Sequence, residues 1–220
     1  HEPLKPRQHS LERNRLHRLL NNWLRMEAER PEPFTVIHRE HEFKDNISGI
    51  EVRMFIDRID QLPDGRLLII DYKTGASVDT RNWSSARLTE PQLPIYAAIA
   101  NPTEGEVAGV AFGLVHLNKL AFKGIGDAEN LVPGVEDLRS YRVRRLFNAE
   151  LFPDWPSVLT HWKTAIHAVA EEVCRGDASV RYANENDLMY CDVLPLLRLA
   201  ERDQQLQTAI ANNALPGGHV

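Results

Sequence analysis

The sequence predicts an α/β fold in which a mixed β-sheet is flanked by α-helices. One reason is the order of patterns along the chain: a helical stretch, three strand-like segments, a short helix, a fourth strand and a long helix. The other reason is the unbroken apolar run Leu67-Leu68-Ile69-Ile70, which is typical of a strand buried on both faces. The length of 220 residues suffices for one large core, so we expect a single domain over residues 1–220.

The individual elements follow from hydrophobic periodicity and from turn residues. The first helix, over residues 11–28, rests on apolar side chains at helical spacing, which are Leu16, Leu19, Leu20, Trp23 and Leu24. Strands are predicted over 34–43, 51–60, 66–74 and 107–117, and further helices over 94–100, 156–174 and 193–212. Residues 121–153 are predicted to be irregular, because glycine and proline punctuate them.

Composition and charge exclude several classes of protein. Hydrophobic residues make up 43% of the chain and charged residues 26%, which is ordinary for a soluble globular protein. No apolar run reaches the roughly 18 residues of a membrane span, and two cysteines cannot build a disulfide framework, so we expect a cytoplasmic protein without a membrane partner. The formal net charge of -5 argues against a protein that coats nucleic acid by bulk electrostatics, but it leaves a nuclease possible.

The segment Pro63-Asp64-Gly65 predicts a tight hairpin between the second and third strands. Proline suits the first turn position, and glycine suits the left-handed residue that follows a type I turn. A three-residue loop pairs Leu62 with Arg66 and places Asp57 opposite Asp71. A two-residue loop would instead place Asp57 opposite Tyr72, and the glycine position favours the first register.

In the favoured register, two carboxylates and an amine converge on one face of the sheet. Cross-strand Cβ atoms lie about 4.5–5.5 Å apart, so Asp57 and Asp71 would both reach one cation. Lys73 is two residues beyond Asp71 and therefore points to the same face. Such a group meets the needs of Mg²⁺-dependent phosphodiester cleavage, because the acids hold a hard cation and the ammonium offsets phosphate charge. The alternative is a plain ion-pair network in which Lys73 and Arg58 neutralise the acids.

Three motifs resemble those of the PD-(D/E)XK nuclease superfamily, in particular its RecB-like nuclease domains and their branch of probable DNA repair proteins. They are Met54-Phe55-Ile56-Asp57-Arg58-Ile59-Asp60, Asp71-Tyr72-Lys73-Thr74-Gly75 and Gln92-Leu93-Pro94-Ile95-Tyr96. The resemblance covers roughly residues 16–200 and implies a restriction-endonuclease-like mixed β-sheet flanked by α-helices.

The resemblance also implies roles for residues of these motifs. Asp57 and Asp71 would bind the metal together with the backbone carbonyl of Tyr72, and Lys73 would serve the attacking water or the scissile phosphate. Contacts with DNA would come from three further residues, Gln92, Tyr96 and Arg58. Two of these have alternatives, since Thr89 and Gln92 also have the spacing of a capping box and Tyr96 is equally suited to the core.

Glu40 stands where relatives often have an acid on the strand before the hairpin, so it is either an auxiliary site residue or a solvated surface acid. Glu42 shares its face by alternation, so position alone does not choose between them. His38 and His41 are predicted to lie on opposite faces of this strand, which favours exposed histidines over metal ligands. His17 is predicted to be an ordinary helix residue.

The sequence departs from its relatives at several positions. Met54 replaces a usual glycine near Asp57. Many relatives bind an iron–sulfur cluster through four cysteines, three of them in a C-terminal pattern of which only Cys191 remains here, with leucine at the other two places. Four thiolates are needed, so no iron–sulfur cluster is expected. Cys174 is predicted to be a buried helix residue.

The resulting hypothesis is a Mg²⁺-dependent DNA exonuclease domain that acts on single-stranded ends in recombinational DNA repair, with Mn²⁺ able to substitute. We expect it to form the C-terminal part of a longer protein, with a helicase-like region in the same full-length chain or in a partner subunit. The alternative is a catalytically inactive nuclease-like module that binds DNA or docks a helicase partner.

Overall fold

The computed structural model describes residues 6–100, 105–177, 179, 188–189 and 191–214. The chain divides into two compact units, His1–Gly176 and Asp177–Val220. In the second unit the described part forms two helices, α5 (Leu194–Leu197) and α6 (Leu199–Ala214). The helix predicted over residues 193–212 is therefore interrupted at Arg198, whose φ of 49° is left-handed and ends α5.

The first unit is built on a mixed six-stranded sheet with flanking helices, as predicted. Its strands are β1 (Thr35–Ile47), β2 (Ile50–Gln61), β3 (Leu67–Lys73), β4 (Val107–His116), β5 (Lys119–Gly126) and β6 (Val135–Asp137), in this spatial order. The pairs β3–β4 and β5–β6 are parallel, and the other neighbours are antiparallel. The helices are α1 (Pro6–Ala28), α2 (Gln92–Ile95), α3 (Tyr141–Arg144) and α4 (Trp155–Cys174); a π-helical turn, Tyr96–Ala100, extends α2, and Arg81–Ser84 form a 3₁₀ turn.

Strand β3 is buried on both faces, which confirms the interpretation of its apolar run. Leu67 and Ile69 belong to one hydrophobic cluster, and Leu68 and Ile70 to another. The first cluster includes side chains from α2 and α4, and the second includes Trp23 of α1. Alternating side chains of one central strand thus hold helices against the sheet from two sides.

Residues 121–153 are not irregular throughout, because the range contains most of β5 and all of β6. The glycines that indicated a loop instead allow close packing of β5 on β4. A Cβ atom at Gly124 would lie 1.9 Å from the carbonyl oxygen of Val110. Glycine here marks a close approach of two backbones and not a turn.

The first two strands are longer than the sequence predicts, and they form a hairpin. They are joined at Ser48 and Gly49, which both have positive φ, 49° and 96°. This is the backbone twist of a two-residue hairpin turn. β1 and β2 therefore continue past the predicted ends at residues 43 and 51.

Candidate functional site

The hairpin between β2 and β3 has the favoured three-residue loop. The backbone N–H of Leu62 donates to the carbonyl oxygen of Arg66 over 2.8 Å, and Gly65 has a φ of 86°. The ladder ends with the pair Arg58–Ile70, in the register of the three-residue loop, and Asp57 and Asp71 are the next residues beyond it. The alternative two-residue loop is excluded.

Asp57 and Asp71 lie at the same end of this strand pair. One carboxylate oxygen of Asp57, Oδ2, accepts a hydrogen bond from the backbone N–H of Tyr72 at 2.7 Å. Asp71 is only 1% exposed. Burial raises the pKa of Asp71, and the negative charges of Asp57 and Glu90 raise it further, whereas Lys73 opposes the shift. The two predicted metal ligands are thus electrostatically coupled, and one of them is poorly solvated.

Lys73 connects Asp71 to the helix that follows. Its Nζ forms an ion pair with Asp71 Oδ2 at 2.9 Å, and among the described residues this buried oxygen has no hydrogen-bond partner other than this ammonium. Nζ also donates to Gln92 Oε1 over 2.6 Å. The Gln92 side chain donates in turn to the Tyr96 hydroxyl (2.8 Å), which donates to the carbonyl of Phe55 (2.6 Å). This relay fixes the ammonium group between β3, α2 and β2.

Two structural alternatives were open for the Gln92 motif, a core position for Tyr96 and a capping box of Thr89 and Gln92. Tyr96 is 3% exposed and belongs to the core, as its alternative proposed. The capping box of Thr89 and Gln92 is wrong, because the residue that caps α2 is Pro91 and makes no side-chain hydrogen bond. Thr89 Oγ1 is buried and has no hydrogen-bond partner among the residues that the structure describes. DNA contact by Gln92 and Tyr96 stays a prediction, and both side chains are already engaged within the protein.

Tyr72 is held from three sides. Its hydroxyl accepts a hydrogen bond from Arg58 Nη1 at 2.9 Å, and its ring meets Trp23 edge-on with centroids 5.7 Å apart. Below the ring lies Gly113 of β4, where a Cβ atom would come within 2.7 Å of Tyr72 Cδ1. The backbone carbonyl predicted as a metal ligand therefore belongs to a firmly packed residue.

Arg58 is the centre of a buried charge network that sequence reasoning missed. Its Nε and Nη2 donate to Asp60 (2.5 and 2.8 Å), and its Nη1 and Nη2 donate to Glu27 (2.8 and 3.2 Å). Arg30 also contacts both acids, at 2.5 Å to Asp60 and 3.4 Å to Glu27. Burial alone would lower the pKa of Arg58, but its hydrogen bonds with Asp60 and Glu27 raise it overall. The sequence did contain a signal for this network. Arg58 and Asp60 lie in a predicted strand, and charged residues that become buried need oppositely charged partners from other segments.

The five N–H groups of Arg58 are all used by Asp60, Glu27 and Tyr72. Its side chain is 11% exposed. The DNA contact predicted for Arg58 stays a prediction, and a phosphate could bind there only by displacing one of these protein groups.

Glu40, and not Glu42, shares a cavity with Asp57. It lines a cavity of about 680 Å³ together with Asp57, Arg58 and Tyr72. Glu42 instead forms ion pairs with Lys44 at 3.0 Å and Arg53 at 2.7 Å. The auxiliary role of Glu40 stays a prediction.

The prediction that His38 and His41 lie on opposite strand faces is wrong. Their ring centroids are 4.3 Å apart. The reason is the left-handed backbone of Glu40 between them, with a φ of 47°, which breaks the alternation of a regular strand. Sequence patterning alone does not reveal such a kink at a non-glycine residue.

Glu90 is a site residue without a role in the sequence prediction. It is exposed, its φ is 49°, and its carbonyl oxygen accepts a hydrogen bond from Trp83 Nε1 at 3.2 Å. Its negative charge contributes to the raised pKa of Asp71. The loop that brings it near has no regular periodicity, so only its position two residues before Gln92 pointed to the site.

The carboxylate pair fits a hard divalent cation. Mg²⁺ and similar ions prefer carboxylate and carbonyl oxygens, and they stabilise neighbouring carboxylates whose negative charges repel each other. In the described part of the chain, no group of three or more His, Cys, Asp or Glu side chains is arranged to hold a metal. The predicted set has only two such side chains, Asp57 and Asp71, and its third member is the backbone carbonyl of Tyr72.

Cys174 and His17 are engaged with residues other than the carboxylate pair. Cys174 is exposed, so its predicted burial is wrong; it is at the last position of α4, where its Sγ lies 3.2 Å from the carbonyl oxygen of Ser48. Cys191 is partly buried, and the expectation of no iron–sulfur cluster stays a prediction. His17 Nδ1 lies 3.1 Å from Asn21 Nδ2 on the same helix.

Comparisons with known proteins place the chain in one family. Among the residues that the structure describes, no helix is long and apolar enough to cross a membrane. A search of curated proteins found no significant match. A family model, that of the PD-(D/E)XK nuclease superfamily, matches residues 2–194.

Proposed function

The chain belongs to the PD-(D/E)XK nuclease superfamily, whose members are metal-dependent phosphodiesterases, and from this premise we propose that it is a Mg²⁺-dependent DNase domain. The observation that carries the proposal is the environment of Asp71. This carboxylate is buried, and in the described part of the chain the Lys73 ammonium, at 2.9 Å, is the one hydrogen-bonding partner of its Oδ2. A buried acid in this state is suited to a cation that the protein takes up from solution.

Asp57, Asp71 and the Tyr72 carbonyl would hold the metal, and Mn²⁺ would substitute for Mg²⁺. When bound, the ion would lower the pKa of a water molecule and offset negative charge on the phosphate. The packing of Tyr72 against Gly113 and its bond to Arg58 keep its backbone in place. The Tyr72 N–H donates to Asp57 and orients the second carboxylate.

Lys73 would orient the attacking water or contact the scissile phosphate. Its ammonium is held by Gln92, which is itself bonded to Tyr96, so its position does not depend on the substrate. A fixed cation stabilises developing charge without reorganisation at the moment of reaction. We assign Gln92 the role of positioning Lys73, with any contact to DNA as an additional role.

We further propose that the domain is of the RecB-like type and removes nucleotides from single-stranded DNA ends during recombinational repair. The three motifs of the hairpin and of α2 support this assignment. In this proposal the domain is the C-terminal part of a longer protein and works with a helicase-like region, in the same chain or in a partner subunit. Glu40 would assist at the cavity that it shares with Asp57.

Cleavage of a labelled DNA strand in Mg²⁺ tests the proposed function. We expect Asp71→Asn and Lys73→Ala each to abolish cleavage while circular dichroism shows an unchanged fold. Lys44→Ala is the matched control, because this lysine is 70% exposed on β1 and is paired with Glu42. Cleavage at the wild-type rate by both site variants would refute the assignment. A wild-type domain that binds DNA but leaves it intact in Mg²⁺ would favour the inactive binding module.

A further inference from the structure

An apolar groove lies on the α1 side of the sheet, next to the cavity that Asp57 lines. Its volume is about 470 Å³, and its lining includes Leu20, Leu24, Phe34, Val36, Tyr72 and Val115. This volume is within the range of about 300–1,000 Å³ that is usual for small-molecule sites. We propose that this groove binds an unstacked nucleobase next to the scissile phosphate, an inference that rests on the proposed nuclease function.

The groove adjoins the cavity that Asp57 and Glu40 line. Val36, Arg58 and Tyr72 line both the groove and the cavity that holds Asp57 and Glu40. Tyr72 joins the two, because its backbone N–H bonds to Asp57 while its side chain lines the groove. A nucleotide whose phosphate lies at Asp57 therefore has its base, or the base of its neighbour, beside the groove.

The rim of the groove is apolar where a base would enter. Leu20, Leu24 and Val36 are 45%, 61% and 39% exposed, although large aliphatic side chains are usually buried. Apolar and aromatic surfaces bind the flat faces of bases without regard to sequence. A base within a duplex is stacked and paired and cannot enter such a groove, so the substrate is a single strand or a frayed end.

A positive charge on the same side of α1 complements the remainder of a bound DNA strand. Arg13 is seven residues before Leu20, which is about two helical turns along the same face. It is exposed, and within the described part of the chain it makes no ion pair or hydrogen bond. A cation in this position complements the phosphates of a strand that runs from the groove along the helix.

The test measures binding and not cleavage. The fluorescence anisotropy of a labelled oligothymidylate is followed in EDTA, where no metal-dependent hydrolysis occurs. We expect Leu24→Asn to weaken single-strand binding about tenfold, because the lost contact with one base is of that size. The control is Leu11→Asn, since Leu11 is 63% exposed on the same helix but lies half a turn away from the face of Leu20. This control should bind like wild type.

A second arm uses the substrate instead of the protein. A strand of abasic spacers should bind to the wild-type domain about as weakly as the thymidine strand binds to Leu24→Asn. Leu20→Asn repeats the test if Leu24→Asn does not fold. The proposal is overturned if the groove variants bind like wild type, if the abasic strand binds as tightly as the thymidine strand, or if the wild-type domain has no affinity for single strands. Because metal is absent, these results do not depend on whether Asp71→Asn abolishes cleavage.

Discussion

Replacement of Arg58 by methionine should destabilise the domain strongly. The guanidinium is 11% exposed, and all its N–H groups are bonded to Asp60, Glu27 and Tyr72. The two acids are themselves 0% and 7% exposed, so the substitution leaves two buried carboxylates with Arg30 as their one remaining cation in this network. Loss of one partner from a buried ion pair costs about 3–5 kcal/mol. Because Arg30 still bonds to both acids, we expect a value of about 3 kcal/mol.

Urea denaturation followed by circular dichroism measures this loss. Arg58→Lys should fall between wild type and Arg58→Met, because it keeps the charge but loses the planar fork. Arg53→Met is the matched control, since Arg53 is 61% exposed in its pair with Glu42 and should be replaceable with little effect. An Arg58→Met variant that is as stable as wild type but binds DNA more weakly would contradict the reasoning and would make Arg58 a DNA contact.

Two further substitutions test how the site is held. Gln92→Leu removes the group that fixes Lys73, and we expect Mg²⁺-dependent cleavage to fall about a hundredfold with little change in melting temperature; an unchanged kcat would show that Lys73 needs no anchor. Gly113→Ala forces a Cβ atom against the Tyr72 ring and should destabilise the domain by about 1–3 kcal/mol in urea denaturation. Gly75→Ala is its control, because the nearest atom to the new Cβ is 3.8 Å away, and equal stability of the two variants would argue against a tight contact at Gly113.

The sequence predicts those features of the site that depend on residues close together in the chain. The turn residues Pro63 and Gly65 determine the loop, the loop determines the register, and the register brings Asp57 and Asp71 to the same end of the strand pair. Lys73 follows by the two-residue period of a strand. The doubly buried β3 was predictable for a similar reason, because its four apolar residues exceed what one buried face needs.

The parts that could not be predicted depend on contacts between distant segments. Glu27 and Arg58 are 31 residues apart in sequence and meet only because α1 packs on the sheet. Glu90 is brought near Asp71 by an irregular loop. The kink at Glu40 and the close packing at Gly124 mislead sequence reasoning in another way, since one breaks strand periodicity and the other uses glycine inside a strand.

Diffraction from crystals soaked in Mn²⁺ shows directly whether Asp57 and Asp71 bind a divalent ion. We expect an anomalous peak bound by the carboxylates of Asp57 and Asp71 and by the carbonyl oxygen of Tyr72. The peak should be absent from equally soaked Asp71→Asn crystals. The proposed metal site is wrong if saturating Mn²⁺ gives no peak at the carboxylate pair or binds only elsewhere on the protein.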